Sequence, residues 1–147
     1  MKTTVKYITL KIDEKLQFVD ITSKVKDIVS ESGIRNGLVT IFTKHTTSAI
    51  RINENETRLI DDMKYFLERL APSFWRYRHD DIDKRNCPPD ERINGHSHLK
   101  ALLLGSSESI PIINSKLDIG KWQSIFFVDL DGGNRERTIS VQVIGEG

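Results

Sequence analysis

Four histidines are the residues of this chain best suited to chemistry near neutral pH: His45, His79, His96 and His98. An imidazole ring is a common transition-metal ligand and the usual acid or base at that pH. His45 follows an apolar segment and opens a Thr-Thr-Ser run, whereas His79 precedes two aspartates. The structural alternatives are a half-buried His45 bonded to a threonine and a His79 in a surface ion pair. Spacing along the chain does not decide between these interpretations.

Whether His96 and His98 can point into the same site depends on the secondary structure of their segment. On a strand both rings would share a face, whereas on a helix two positions correspond to about 200° of rotation. We predict a helix here, so at most one ring should point into a given site. His98 precedes an apolar stripe of Leu99, Leu102 and Leu103 and should flank the buried face, with His96 nearer solvent.

Several arginines are suited to holding a phosphate, because a guanidinium forms two parallel hydrogen bonds with its oxygens. Arg92, Arg135 and Arg137 are the candidates, and the alternative for each is an ordinary solvated surface arginine. The chain has no P-loop, GxGxxG, GxSxG or HExxH motif. The only cysteine, Cys87, has no histidine near it in sequence, so we interpret it as a bystander. The residues alone indicate a histidine-centred polar site without naming a reaction.

The elements that must position these residues are mostly strands. Alternating or β-branched apolar residues predict strands over 2–12, 16–21, 37–43, 49–53, 109–113, 122–130 and 135–145. Apolar residues three and four apart predict helices over 23–32, 54–70 and 94–105, the first capped by Thr22 or Ser23. Residues 71–93 form an irregular segment and residues 131–134 a hairpin turn. This order favours the α+β class over a doubly wound sheet.

Length and composition indicate one globular domain spanning residues 1–147. The chain is 37% hydrophobic and 29% charged, a balance typical of folded domains. The net charge of +1, with interleaved signs, argues against a nucleic-acid partner. No apolar run approaches the roughly 18 residues of a membrane span, which argues against a membrane partner. The N-terminal segment lacks the apolar region of a signal peptide, so we expect a cytoplasmic protein.

A series of short motifs runs in order along nearly the whole chain. They are GLVTIF at 37–42, HTTSA at 45–49, INE at 52–54, DD at 61–62, HD at 79–80, ERIN at 91–94, HLKA at 98–101, LDIGKWQ at 117–123, DG at 131–132, Arg135 and Arg137. Together they resemble the YjbQ family, also called the secondary thiamine-phosphate synthase family. The combination is highly specific, whereas any single motif would be a weak signal.

The resemblance implies a YjbQ-like two-sheet β-sandwich of about seven strands with flanking helices, assembled as a homotrimer. It implies a metal site at His45, His79 and His98, for which Zn²⁺ is the expected ion. The implied activity is condensation of hydroxymethylpyrimidine diphosphate with a thiazole phosphate, a secondary activity that requires a small phosphorylated ligand. Expected catalytic residues are His45, Glu54 and Arg135, and the expected ligand-binding residues are Thr46, Asn53, Glu91, Arg92, Asn94 and Arg137.

One departure from the family pattern concerns the hairpin after Asp131-Gly132. The family usually has proline next, whereas this chain has Gly133-Asn134, which shifts the register of the two following arginines by one residue. Two other functions fit the same residues: a metal-dependent hydrolase, and a non-catalytic trimeric module that binds a metal or an anion. A buried, metal-free histidine cluster is the structural alternative.

Overall fold

Two antiparallel sheets and three helices make up the chain, and the computed structural model describes all residues from 1 to 147. The strands are β1 Lys2–Lys11, β2 Gln17–Asp20, β3 Asn36–Thr43, β4 Ser48–Asn53, β5 Ser107–Ile113, β6 Lys116–Leu117, β7 Ser124–Asp129 and β8 Glu136–Glu146. The helices are α1 Thr22–Ser32, α2 Thr57–Leu70 and α3 Gly95–Leu104. Two short 3-10 turns, Arg78–Asp80 and Ile82–Lys84, interrupt the segment between α2 and α3.

The two sheets differ in size. The larger has the order β1-β8-β3-β5-β6, and the smaller has the order β2-β7-β4. β8 is an inner strand of the larger sheet, where Ile139 lies opposite Ile8 of β1 and Thr43 of β3. β7 is central in the smaller sheet, where Phe127 lies opposite Val19 of β2 and Ile50 of β4.

The main hydrophobic core lies between the sheets. Alternate residues of β8, namely Ile139, Val141 and Val143, are buried there because successive side chains of a strand point to opposite faces. They pack in one cluster with Ile50 and Phe127 of the smaller sheet. Val25 and Val29 of α1 join the same cluster. The prediction of a two-sheet, mixed α and β fold is therefore confirmed, with eight strands where about seven were expected.

The other face of the smaller sheet is covered by α2 and α3. Phe126 and Val128 of β7 point to this side and cluster with Leu67 of α2, while Ala101 and Leu104 of α3 pack at its edge. β7 is consequently buried on both faces, which explains its unbroken apolar run. This layering brings the first turn of α3 against the C-terminal end of β7.

The buried face of α3 is polar, which corrects the expected apolar stripe. Gly95, Ser97 and Lys100 are buried, whereas Leu102 and Leu103 are 79% and 63% exposed. Ser97 donates a hydrogen bond to the carbonyl oxygen of Leu130 at 2.7 Å, so β7 orients the helix through polar contacts. A Cβ atom on Gly95 would lie 2.8 Å from the Tyr77 Cβ, so only glycine permits this close approach.

Two helix starts also differ from the prediction. α2 begins at Thr57, three residues later than expected, because the Glu56 carboxylate accepts the backbone N–H groups of Arg58 and Leu59. α1 has no side-chain cap. The Thr22 hydroxyl instead accepts the backbone N–H of Ile125 and donates to Asp20, tying the helix start to β7.

The outer face of the larger sheet carries apolar side chains that no element of the chain covers. Val5, Tyr7, Leu38, Phe42 and Ile144 are 39% to 62% exposed there. The homotrimer implied by the resemblance stays a prediction, and this uncovered apolar face is a candidate surface for contact between chains. None of the three helices combines the length and apolar character required to cross a membrane.

Candidate functional site

A cleft of about 350 Å³ with only polar and charged walls lies where the β3–β4 turn, the ends of β7 and β8 and the start of α3 meet. Its lining residues are Lys44, His45, Thr46, Thr47, Glu91, Arg92, Asn94, His98, Asp131, Arg135 and Arg137. We refer to it as the polar cleft. Arg135 and Arg137 both reach it because residues two apart on a strand project to the same side.

Asp131 is the centre of the hydrogen-bond network in the polar cleft. Arg92 holds its carboxylate with two bonds, Nε to Oδ2 at 3.0 Å and Nη2 to Oδ1 at 3.0 Å. Asn94 Nδ2 and Arg135 Nη2 donate to Oδ2 at 2.8 and 2.9 Å. Burial alone would raise the pKa of Asp131, but the hydrogen bonds from Arg92 and Asn94 outweigh it and hold the pKa below its ordinary 3.8. The carboxylate is therefore charged near neutral pH and orients all three donors.

The turn after Asp131 is shaped to admit Arg92. Gly132 and Gly133 both have positive φ angles, 69° and 92°, which glycine adopts at no steric cost. A Cβ atom on Gly133 would lie 2.8 Å from Arg92 Nη1. The Gly133 that departs from the family pattern thus leaves the space that the guanidinium occupies.

Beneath the cleft, a buried ion pair joins the two sheets. Arg137 of β8 donates from Nε to Oδ1 of Asp129 of β7 at 2.8 Å, and from Nη2 to the Thr47 hydroxyl at 3.0 Å. Asp129 is fully buried, and its other oxygen accepts the backbone N–H groups of Asp131 and Gly132. The pair positions both Arg137 and the turn that carries Asp131.

His45 is held at the cleft by one ring nitrogen. Its Nε2 accepts the backbone N–H of Thr138 at 3.3 Å, so in the neutral ring the proton is on Nδ1. Burial, followed by the positive charges of Arg137 and Arg135, lowers the pKa of His45 below its ordinary 6.5. Near neutral pH His45 is therefore an uncharged ring whose Nδ1–H has no protein acceptor.

The other two expected metal ligands contact each other, and one of them, His98, lines the polar cleft together with His45. The rings of His79 and His98 meet edge to face, with centroids 4.6 Å apart. Burial, then the neighbouring His79, lowers the pKa of His98 below 6.5. No group of three or more His, Cys, Asp or Glu residues in the chain could hold a metal ion. The residues of a single chain do not fit a three-imidazole centre, and zinc binding stays a prediction from the resemblance.

Two expected site residues, Glu54 and Asn53, are not brought to the polar cleft. β4 begins at Ser48, beside the cleft, and ends at Asn53. Five steps of about 3.3 Å place the two ends of the strand roughly 17 Å apart. Asn53 instead lines an apolar pocket beneath α2, and Glu54 follows it. The strand length therefore separates the INE motif from the HTT motif.

The cleft also contains functional candidates that the sequence analysis missed: Lys44, Thr47, Asp129 and Asp131. Asp131 was interpreted as part of a turn and of the DG family motif, and not as a site residue. The one available signal was Asp129, an acid inside the apolar run of β7, because an acid at such a position requires a partner. That partner, Arg137, is eight residues away and belongs to the other sheet.

Comparison with known proteins places this arrangement in a family. A family model described as "UPF0047 protein YjbQ-like" matches residues 6–146. A UPF0047 protein of Methanothermobacter thermautotrophicus is 43% identical over 146 residues, covering 99% of this chain and 95% of the relative. UPF0047 protein YugU of Bacillus subtilis is 30% identical over 142 residues, covering 95% of this chain and 98% of the relative.

Solved structures agree over the same length. A YbjQ-like protein of unknown function from Sulfolobus solfataricus is 37% identical with a TM-score of 0.90, covering 99% of both chains. A hypothetical protein from Aeropyrum pernix is 36% identical with a TM-score of 0.87, covering 99% of this chain and all of the other. The expected resemblance is thereby confirmed, and the chain belongs to the YjbQ-like UPF0047 family.

Proposed function

We propose that the polar cleft binds a small phosphorylated ligand. The observation that carries the proposal is the excess of cationic side chains on an all-polar wall: Lys44, Arg92, Arg135 and Arg137 against Glu91 and Asp131. Charge-assisted hydrogen bonds from guanidinium groups are the strongest contacts a protein offers to phosphate oxygens.

Each of the three arginines keeps one guanidinium nitrogen that is unpaired within the chain. In Arg92, Arg135 and Arg137 the Nε and Nη2 atoms donate within the chain, whereas Nη1 donates to no protein atom. Arg137 Nη1 has no partner within the chain and is not fully buried, so it is accessible to solvent. Lys44 forms no ion pair and adds a fourth donor group.

Asp131 in the cleft and Asp129 beneath it support these donors. Both oxygens of Asp131 and both oxygens of Asp129 already accept hydrogen bonds. The His45 ring lines the same cleft, and its Nδ1–H has no acceptor within the chain. An anion with several oxygens would therefore meet donors on most sides of the cleft.

The activity that we propose for this site is the one implied by the family resemblance, thiamine-phosphate synthesis. In that condensation the thiazole nitrogen attacks the methylene carbon of hydroxymethylpyrimidine diphosphate. The bond between that carbon and the diphosphate oxygen breaks, and its electron pair leaves with pyrophosphate. The chain's contribution is to bind the diphosphate and neutralise its growing negative charge with Arg92, Arg135 and Arg137.

Pyrophosphate binding tests the ligand class. We expect Arg135→Met to weaken pyrophosphate affinity at least about tenfold, the value of one charge-assisted hydrogen bond. Isothermal titration calorimetry measures the change. Arg58→Met is the matched control, because Arg58 lies exposed on α2 and does not line the cleft. Equal affinity in all three proteins, or no binding to wild type, contradicts the proposal.

A turnover assay then separates the candidate activities. Pyrophosphate release that requires both substrates supports the transferase. Phosphate release from one substrate alone supports the hydrolase, and binding without turnover supports the non-catalytic module. Running each assay with and without added Zn²⁺ tests the metal that the resemblance implies.

We also propose the homotrimer as the functional assembly. Its support is the uncovered apolar face of the larger sheet, where Tyr7 is 62% and Val5 is 44% exposed. Exposed apolar patches of this kind are typical of surfaces that meet another chain.

A further inference from the structure

A second, larger cavity lies on the other side of the Arg92–Asp131 ion pair from the polar cleft. Its volume is about 830 Å³, and it is lined by residues of the β1–β2 turn, α2, the first turns of α3 and the end of β7. Four residues of the family motifs line it, namely Arg92, Ile93, Lys100 and Asp131, and of these Arg92 and Asp131 also line the polar cleft and form the shared wall. We refer to it as the second cavity.

A buried lysine lies at the base of the second cavity. Lys100 is 2% exposed, and its Nζ donates to Glu68 Oε1 at 3.0 Å and to His96 Nδ1 at 2.9 Å. Because the Glu68 carboxylate faces it, Lys100 is an ammonium and His96 Nδ1 is the acceptor. The neutral His96 ring therefore carries its proton on Nε2.

The carboxylates of this cavity are already paired, whereas cationic donors remain. Glu68 Oε2 accepts both the backbone N–H and the hydroxyl of Ser73, at 2.9 and 2.6 Å. Asp131 is occupied by Arg92, as described above. The ammonium of Lys100 has a third N–H without a protein acceptor, and Lys15 lines the cavity without an ion pair. A wall whose cationic donors are free while its carboxylates are already paired favours an anion.

The remaining wall is apolar. Leu16 and Leu130 line it, and so do Tyr65 and Ile93, which are 67% and 58% exposed. A ligand body covering these two side chains would remove apolar surface from water, which is favourable in proportion to the area covered. A phenol ring beside aliphatic side chains is well suited to a flat body.

We propose that the second cavity binds a small anion carried on a flat apolar body, such as an aryl phosphate or an aryl carboxylate. The anionic group would bind at Lys100 and the ring would lie against Tyr65 and Ile93. This site is independent of the proposed function of the polar cleft, with which it shares only the wall between them.

The four histidines provide a direct test by NMR, because they report on different places. His96 lines the second cavity, whereas His45 and His98 line the polar cleft. We expect phenyl phosphate to shift the imidazole signals of His96 in a saturable way, whether or not binding in the polar cleft also shifts those of His45. A shift confined to His45 and His98 places the probe in the polar cleft and overturns the proposal.

Variants and simpler probes sharpen the test. Tyr65→Ala should weaken phenyl phosphate binding by about threefold or more, since it removes part of the apolar wall. Phe66→Ala is the matched control, the next residue of the same helix, 61% exposed and outside the cavity. The double variant Glu68→Gln, Lys100→Met should abolish the His96 shift. If benzyl alcohol or inorganic phosphate binds as tightly as phenyl phosphate, the ligand does not need both an anionic group and an apolar body, and the proposal is contradicted.

Discussion

Asp131 illustrates how one residue sets the character of the polar cleft. An aspartate before two glycines predicts a hairpin turn at residues 131–134; the chain does turn there, but the hairpin is wrong, because β7 and β8 belong to different sheets and do not pair. Its carboxylate also accepts hydrogen bonds from Arg92, Asn94 and Arg135, three residues from two separate segments. The fixed negative charge holds two arginines side by side that would otherwise repel each other, so the cleft keeps its cationic wall without a bound ligand.

Glu68 leads to a pH prediction at the same scale. Burial alone would raise its pKa, but hydrogen bonds from Ser73 and Lys100 outweigh burial and lower the pKa from 4.5 to about 2. A folded-state pKa below the unfolded one stabilises the fold above pH 4.5, and this contribution is lost as the pH falls toward 2. We expect the free energy of unfolding to decrease over that interval more steeply in wild type than in Glu68→Gln.

Urea unfolding at several pH values across that interval measures the difference. Glu31→Gln is the control, because Glu31 is exposed on α1 and its side chain makes no hydrogen bond or ion pair. If the slope of Glu68→Gln equals those of wild type and Glu31→Gln, the Ser73 and Lys100 bonds do not stabilise the carboxylate.

At the scale of elements, α3 separates two environments. His96 and His98 are two positions apart, so the helix turns their rings to different sides, and they line different cavities. That part of the prediction is confirmed. The expectation that His96 lies nearer solvent than His98 is not borne out, because both residues are partly buried and His96 packs against Lys100.

The junction of β7 and β8 gives a prediction about stability. Asp129 and Arg137 are 0% and 5% exposed, and each belongs to a different sheet. Removing one partner of a buried ion pair leaves an uncompensated charge, so Arg137→Met should reduce the free energy of unfolding by about 3–5 kcal/mol. Denaturant unfolding measured at neutral pH gives the value.

The double variant Asp129→Asn, Arg137→Met is the matched comparison. It removes both charges and keeps an oxygen that can accept the N–H groups of the turn, so it should be more stable than Arg137→Met alone. A double variant at least as destabilised as the single one would show that the cost comes from lost packing and not from the unpaired charge.

For the whole molecule, the layered architecture leaves one sheet face uncovered. α1 joins the core between the sheets, and α2 and α3 cover the smaller sheet, so nothing in the chain packs on the outer face of the larger sheet. Phe42 lies on the central strand β3 of that face and is 39% exposed. The proposed homotrimer would bury it.

The oligomeric state of a variant tests this placement. We expect light scattering to give three times the chain mass for wild type and the mass of one chain for Phe42→Lys, because burying an unpaired ammonium disrupts the interface. Leu102→Lys is the control, a more exposed apolar position on α3, and should remain trimeric. Dissociation of the control but not of Phe42→Lys would place the interface on the helices, and a monomeric wild type would contradict the assembly.

Local patterns determined much of the protein. Alternating apolar residues placed the core strands within a few residues of their bounds, and the run 122–130 marked the strand buried on both faces. These features follow from the periods of the strand and the helix, which act over a few neighbouring residues. The order of short motifs was likewise enough to identify the family.

Only the tertiary structure decided which polar residues share a site. It joined Asp129 to Arg137 across two sheets, gathered Asp131, Arg92 and Asn94, and left Glu54 at the far end of β4 from His45. It also turned the polar face of α3 inward and so created the second cavity around Lys100. Such contacts depend on the relative placement of distant segments, about which the spacing of residues along the chain carries no information.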